Sequence, residues 1–95
     1  MKVVVPEPIP APRVAGISPS SGPTAGGTLV TITGTNFTGA TAVLFGDVPA
    51  TSFSVYSDTE IQATAPAQAA GTVDVTVETP GGGSGIWATD EFTYL

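Results

Sequence analysis

The fold of this chain is decided by the stretch ISPSSGPTAGGTLVTITGTNF, which runs from Ile17 to Phe37. At its centre, Thr28–Thr33 alternates in such a way that Val30 and Ile32 share one face, opposite the face that carries Leu29. An alternation with a period of two residues predicts a β-strand with one buried and one solvated face. The glycines and asparagine on either side of this run are turn residues, so the strand is expected to be short.

The same pattern recurs along the chain. In TVDVTV, Thr72–Val77, three valines lie opposite Asp74 and Thr76. Further strands are predicted at Thr41–Phe45, Thr51–Tyr56, Glu60–Ala65 and Phe92–Leu95. Turn-rich segments separate these runs, and no window has the apolar periodicity of a helix. The sequence therefore predicts an all-β fold, arranged as a β-sandwich.

The composition limits the chemistry that is available. The chain has 95 residues, enough for one domain, and it contains no cysteine and no histidine. It therefore has no disulfide, no thiolate nucleophile and no imidazole general base or metal ligand. We predict that the protein is not an enzyme and that it has no cofactor and no metal centre.

The charges are unevenly distributed. Lys2 and Arg13 are the only cations, and the segment after Arg13 carries seven carboxylates. Nucleic acids and anionic lipid surfaces are bound mainly through lysine and arginine, so neither is expected as a partner. The apolar run Val3–Val5 stops at Pro6, too early for a secretion signal, and no apolar stretch is long enough to span a membrane.

Several motifs make the chain similar to a known family, the IPT/TIG domains. The motifs are Ser18–Pro23, the pair Gly26–Gly27, Gly34–Phe37, Ser57–Pro66, Gly71–Val77 and Phe92–Tyr94, in the family's order and spacing. The resemblance implies an immunoglobulin-like β-sandwich over residues 14–95. Residues 1–13 lie outside the family pattern and are predicted to form an extended proline-rich arm.

Local chemistry suggests roles for some of these motif residues. Gly26 and Gly27 are expected to take positive φ before the strand, and Gly34 to let the chain bend out of it. Asn36 tolerates a left-handed conformation, which would free Phe37 to fold into the core.

The resemblance also implies a range of roles. Family members serve as spacers and binding modules in cell-surface receptors, bacterial surface proteins, polysaccharide-acting enzymes and phage virion proteins. In some transcription factors the domain contributes to DNA binding, but that role needs basic loops, which are absent from this sequence.

The carboxylates offer two candidate sites. Asp58 and Glu60 share one face of an extended segment, as a pair of hydrolytic acids would, although a turn followed by a solvated strand is the better interpretation. Calcium binding at Asp90–Glu91 is a second option, and a solvated acidic rim is again the simpler one. The triplet that begins at Asn36 matches a glycosylation acceptor, and Gly81–Gly85 is predicted to be a flexible loop.

Trp87 is the single tryptophan of the chain and stands beside Ile86 on a glycine-flanked excursion. One interpretation makes these two residues a binding hot spot or a sugar-stacking platform. The other makes them part of a hairpin that caps the open end of the sandwich. The sequence leaves both open.

The arm has prolines at positions 6, 8, 10 and 12. In an extended segment these all fall on one edge, and Glu7, Ile9 and Ala11 keep their N–H donors on the other. Such a segment can add to a sheet through one side only, which predicts a docking arm; a solvated tether is the alternative. The predicted partner-binding residues are Val3, Val4, Val5, Glu7, Ile9, Ala11, Arg13, Ile86 and Trp87.

The leading hypothesis is therefore an accessory decoration or surface protein of a larger assembly, such as a phage virion. It would be anchored through its arm to a partner protein or to sister subunits. The alternative is a carbohydrate-binding or spacer module from a secreted multidomain bacterial protein, located outside the cell or at its surface. A bare spacer without a ligand is the third option.

Overall fold

The computed structural model describes residues 11–86 and 88–95, whose regular secondary structure is almost entirely β-strand. The strands are β1 Arg13–Ser18, β2 Ser21–Gly22, β3 Leu29–Thr35, β4 Ala42–Phe45, β5 Val48–Pro49, β6 Ser52–Ser57, β7 Glu60–Thr64, β8 Gly71–Thr79, β9 Gly82–Gly83 and β10 Glu91–Tyr94. A short 3-10 helix, η1, spans Ala88–Asp90. No helix in the described part of the chain is long and apolar enough to cross a membrane.

The strands form two sheets. Sheet A has the order β1-β3-β7-β6, and sheet B has the order β2-β10-β8-β4-β5, with β9 paired to β8. Every pairing is antiparallel except that of β10 with β2. Two largely antiparallel sheets packed face to face make a β-sandwich, so the predicted fold class is confirmed.

The core lies between the sheets and follows the alternation in the sequence. Val30 and Ile32 of β3 are fully buried, whereas Leu29 on the opposite face is 55% exposed. The ring of Phe92 contacts those of Phe45 and Tyr94 edge-on, at centroid separations of 5.4 and 5.0 Å. The remaining buried apolar residues are Val14, Phe37, Val43, Ile61, Ala63, Ala65, Val75 and Val77.

All six strands predicted from the sequence are present, and four others had not been predicted: the two-residue strands β2 and β5, and the strands β1 and β9. Arg13–Ser18 had not been predicted to be a strand, yet it forms β1 and pairs with β3 through a bulge after Val14. Gly82–Gly83, predicted as part of a flexible loop, forms β9, which pairs with β8. The bulge and the glycine content explain why neither strand shows clean alternation.

The chain enters and leaves the sandwich at opposite ends. Arg13, at the start of β1, pairs with Thr35 at the end of β3, and we call this end the N-terminal pole. The hydroxyl of Tyr94 donates to the carbonyl oxygen of Pro66 at 2.6 Å, and Leu95 N–H donates to the carbonyl oxygen of Gly22 at 2.9 Å. This second end, where β3 begins and β10 ends, is the C-terminal pole.

Candidate functional site

At the N-terminal pole, the carboxylate of Asp58 organises the loop that follows β3. It accepts hydrogen bonds from the hydroxyl of Thr38 at 2.8 Å, from Thr38 N–H at 3.2 Å and from Asn36 N–H at 3.3 Å. The Thr38 hydroxyl contributes most to holding the pKa of Asp58 below its usual range; the backbone N–H groups assist, and slight desolvation opposes them. Asp58 is thus the anchor of a turn.

Asn36 connects this loop to the N-terminal segment. Its φ of 62° is the left-handed conformation expected from the sequence, and Phe37 next to it is fully buried, as predicted. The side-chain amide of Asn36 donates to the carbonyl oxygen of Ala11 at 3.3 Å. Because Pro12 is buried as well, the described part of the N-terminal segment is fixed against the sandwich.

Of the nine predicted partner-binding residues, the described part of the chain contains three: Ala11, Arg13 and Ile86. Ala11 is exposed and lies beside the β8–β9 hairpin, since a Cβ built on Gly82 would be 3.9 Å from its Cβ. Arg13 is exposed and begins β1, and Ile86 is 73% exposed. The other six, Val3, Val4, Val5, Glu7, Ile9 and Trp87, lie outside the described residues. Whether the arm and the sandwich divide at residues 13 and 14 stays a prediction.

The hairpin that presents Ile86 is held by a buried serine. The hydroxyl of Ser84 accepts a hydrogen bond from Val77 N–H at 2.9 Å, and Ser84 N–H donates to the carbonyl oxygen of Val77 at 2.9 Å. Ser84 therefore fixes the point from which the chain continues through residues 85–87 into η1.

The carboxylates proposed for metal binding lie apart from one another. Asp90 is fully buried in η1, whereas its neighbour Glu91 is exposed on β10 and is paired with Asp74 of β8. Among residues 11–86 and 88–95, no three side chains of the usual ligand types come together to hold an ion. The surface formed by these residues contains no pocket either.

Strand β6 presents the least protected edge in the described structure. It pairs with β7 alone, and its sequence SFSVYS contains no charge, proline or glycine. Phe53 is half-buried, whereas Val55 and Tyr56 are 38% and 60% exposed. Exposed strand edges can pair with further strands, so this edge is a candidate interaction surface. The sequence had predicted the strand but not its place at an edge.

The other edges of the described sheets are shielded. β2 and β5 are two residues long, and β5 ends in Pro49. β1 carries a bulge, and η1 packs against it, with the hydroxyl of Thr89 donating to the carbonyl oxygen of Val14 at 3.0 Å. Short strands, prolines, bulges and covering elements all hinder edge-to-edge pairing.

Two sheets in this order, joined by loops at the poles, define an immunoglobulin-like module. The model of the IPT/TIG domain family matches residues 12–94, and the chain belongs to this family. The family consists of non-catalytic immunoglobulin-like domains.

Much larger proteins contain similar domains. Mouse Fibrocystin-L is 41% identical over 70 residues, which are 73% of this chain and 2% of that protein. An ankyrin and IPT/TIG repeat-containing protein of Schizosaccharomyces pombe is 45% identical over 69 residues, which are 72% of this chain and 6% of that protein. The extracellular region of plexin A4 superimposes with a TM-score of 0.75 and 29% identity, covering 88% of this chain and 7% of plexin A4.

Proposed function

We propose that this domain is a non-enzymatic spacer and protein-attachment module of a larger assembly. The observation that carries this proposal is the path of the chain, which enters at Arg13 on the N-terminal pole and leaves at Leu95 on the C-terminal pole. Because its two chain ends lie at opposite poles, such a domain separates the segments joined to those ends by its full length. The similar domains in Fibrocystin-L and the yeast protein occupy 2% and 6% of those chains, which suits a modular role.

The surface supports attachment through strands and loops. The described residues form no pocket for a small molecule and no cluster of metal ligands. Partner binding would then use flat or edge surfaces, which is how proteins bind other proteins.

A tandem fusion tests the spacer role. The chain has no native cysteine, so paired spin labels on introduced cysteines report on single distances. The fusion joins Leu95 of the first copy to residue 11 of the second, and Thr35→Cys in both copies places one label at each N-terminal pole. The distance between the two labels should be narrow and at least about 30 Å, because a nine-residue strand such as β8 is about 30 Å long. As a matched control, Ala67→Cys in the first copy with Thr35→Cys in the second spans the junction between the poles and should give a shorter distance. A broad distribution centred below that of the control would contradict the proposal.

The N-terminal segment is the proposed anchor. Its support in the described structure is the fixed position of Ala11 and Pro12, with the Ala11 carbonyl held by Asn36. The proposed setting is outside the cell or at its surface, which agrees with the extracellular region of plexin A4 as a structural neighbour. The surface of a virion, which the protein would decorate, is a second proposed setting with the same anchoring role.

Carbohydrate binding at Ile86 and Trp87 is a second candidate function. It is favoured by the 73% exposure of Ile86, a large apolar side chain presented after Gly85, whose φ is 73°. Titration with a saccharide panel tests it. If the loop is a sugar platform, Trp87→Ala should abolish binding and leave the melting temperature unchanged. A lowered melting temperature without any saccharide binding would instead identify Trp87 as a cap.

A further inference from the structure

We propose that the outer edge of β6 binds residues 3–7 of a second copy's N-terminal segment as an added antiparallel strand. The inference rests on the proposed anchoring role of that segment and names the surface that receives it. In the proposed register, Val5 of the added strand lies opposite Phe53 of β6, and Val3 lies opposite Val55.

The direction of the backbone groups in β6 follows from its neighbours. Gly34 N–H donates to the carbonyl oxygen of Thr59 at 3.0 Å, so alternation along β7 directs the backbone groups of Gln62 toward β6. Gln62 pairs with Ser54. The N–H and C=O groups of Phe53 and Val55 therefore point away from β7, toward the open edge.

The side chains at this edge are incompletely covered. Phe53 packs against the core but is only half-buried, and Val55 is 38% exposed. Residues paired across an antiparallel ladder place their side chains on the same face. An added strand with apolar residues opposite Phe53 and Val55 would extend the core past its present limit.

The N-terminal sequence has the matching pattern, although residues 1–10 lie outside the described residues. In an extended segment, Val3 and Val5 direct their N–H groups to the edge opposite that of Pro6 and Pro8. Their side chains share the face that would meet Phe53 and Val55. The prolines would then line the new outer edge and stop further strands from adding.

Charge favours the antiparallel direction. Lys2 and Arg13 are the only cations of a chain with a net charge of −6. β6 ends at Ser57, immediately before Asp58 and close to Glu60. An antiparallel strand places Lys2 at this acidic end, where opposite charges attract.

The occupant must come from another copy. β6 runs toward the N-terminal pole. In an antiparallel added strand, residue 7 would therefore lie about 13 Å closer to the C-terminal pole than residue 3. The same chain's Ala11 lies at the N-terminal pole beside β1, four strand spacings of about 4.8 Å each from a strand added outside β6. The diagonal is about 23 Å, and the four residue steps from position 7 to position 11 span at most about 14 Å.

The experiment is sedimentation velocity on the full chain, from about 10 µM to about 1 mM, the range of weak interfaces. Two proline variants differ only in the edge they change. Val5→Pro removes an N–H donor from the pairing edge and should weaken self-association at least about tenfold, since one lost hydrogen bond and its neighbours amount to about 1.4 kcal/mol. Val4→Pro adds a proline to the outer edge and should leave self-association unchanged. Equal effects of the two variants would overturn the proposed pairing.

The receiving edge is tested separately. Val55→Lys should weaken self-association, whereas Leu29→Lys, on a central strand of the same sheet, should leave it intact. Thermal unfolding of each variant confirms that it is folded. If Val55→Lys unfolds, Val55→Thr replaces it, because threonine keeps the backbone donors and the size of valine. Val55→Thr should weaken self-association less than Val55→Lys.

The outcomes separate this inference from the proposed function. A full chain that stays monomeric at every concentration overturns the inference. The inference is also overturned if deletion of residues 1–10 abolishes self-association but the Val55 variants leave it intact. In that case the segment anchors at another surface, and the proposed function stands. If the deletion leaves attachment to other copies intact, the anchoring role itself fails.

Discussion

Gly34 shows how one residue sets the spacing between two parts of the sandwich. A Cβ at this position would overlap the carbonyl oxygen of Arg13 and lie 2.6 Å from the ring of Phe37. The sequence suggested that Gly34 lets the chain bend out of the strand, but β3 continues to Thr35 and Gly34 pairs with Val14. Its role is to allow β1 and Phe37 to approach closely.

We therefore expect Gly34→Ala to be severely destabilising, by roughly 3 kcal/mol or more, because neither the Arg13 backbone nor the buried ring can move aside freely. Gly83→Ala is the matched control, since a Cβ there meets nothing within 4 Å. Chemical denaturation of both variants gives the comparison. Similar losses in the two would show that close approach is not the reason for glycine at position 34.

Asp58 makes the stability of the N-terminal pole dependent on pH. Its pKa in the folded protein lies below the ordinary 3.8, chiefly because of the Thr38 hydroxyl. The unfolded chain therefore takes up a proton first as the pH falls. The stabilisation by Asp58 is complete above the ordinary pKa and is lost as the pH falls through the lower folded value.

Asp58→Asn should accordingly lower stability at neutral pH and reduce the loss of stability on acidification below pH about 4. The control is Asp47→Asn, in the exposed turn between β4 and β5. It should change the stability at neutral pH, and the loss of stability on acidification, less than Asp58→Asn does. Urea unfolding at a series of pH values measures both. If the free energy of unfolding depends on pH in the same way in Asp58→Asn and in the wild type, the stabilising role of the Asp58 carboxylate is refuted.

At the scale of the elements, Ser84 decides whether Gly82–Gly83 is a strand or a loop. Glycine is a poor strand former, and the local sequence predicted a flexible loop. The buried Ser84 hydroxyl accepts the N–H of Val77, which brings the two glycines alongside Glu78 and Thr79.

Removing this hydroxyl should loosen the hairpin. Ser84→Ala leaves the buried N–H of Val77 without its side-chain acceptor, and a loss of about 1–3 kcal/mol follows. Ser54→Ala, at an exposed position of β6, is the control and should cost less than about 0.5 kcal/mol. Amide hydrogen exchange at Gly83 and Val77 should accelerate in the first variant alone; unchanged exchange would contradict the role of Ser84.

For the whole molecule, the core and the proposed anchor are separable. Among the described residues, the hydrophobic core cluster belongs to residues 14–94. Deletion of residues 1–10 should thus change the melting temperature of a monomeric sample by less than about 2 °C, because the deletion removes no member of this core cluster. Differential scanning calorimetry at low concentration checks this, with full-length protein as the reference. A large drop would mean that the segment is a strand of its own sandwich.

The sequence by itself determined six of the ten described strands and the inside-outside pattern of the core. Val30, Ile32, Val75 and Val77 are buried because alternation in a strand leaves only one face for apolar side chains. The left-handed turn at Asn36 was likewise readable from local chemistry. These features depend on neighbours a few residues away, so the sequence contains them directly.

Only the tertiary structure decided which strand is an edge and which carboxylate is a scaffold. β6 and β7 both have strand-forming sequences, but β7 has partners on both sides and β6 has one. Asp58 is separated by 20 and 22 residues from the groups that it holds. Pairing order and long-range hydrogen bonds arise when the chain closes on itself. The candidate interaction surface at β6 became visible only then, because an open edge is a property of a sheet and not of a strand.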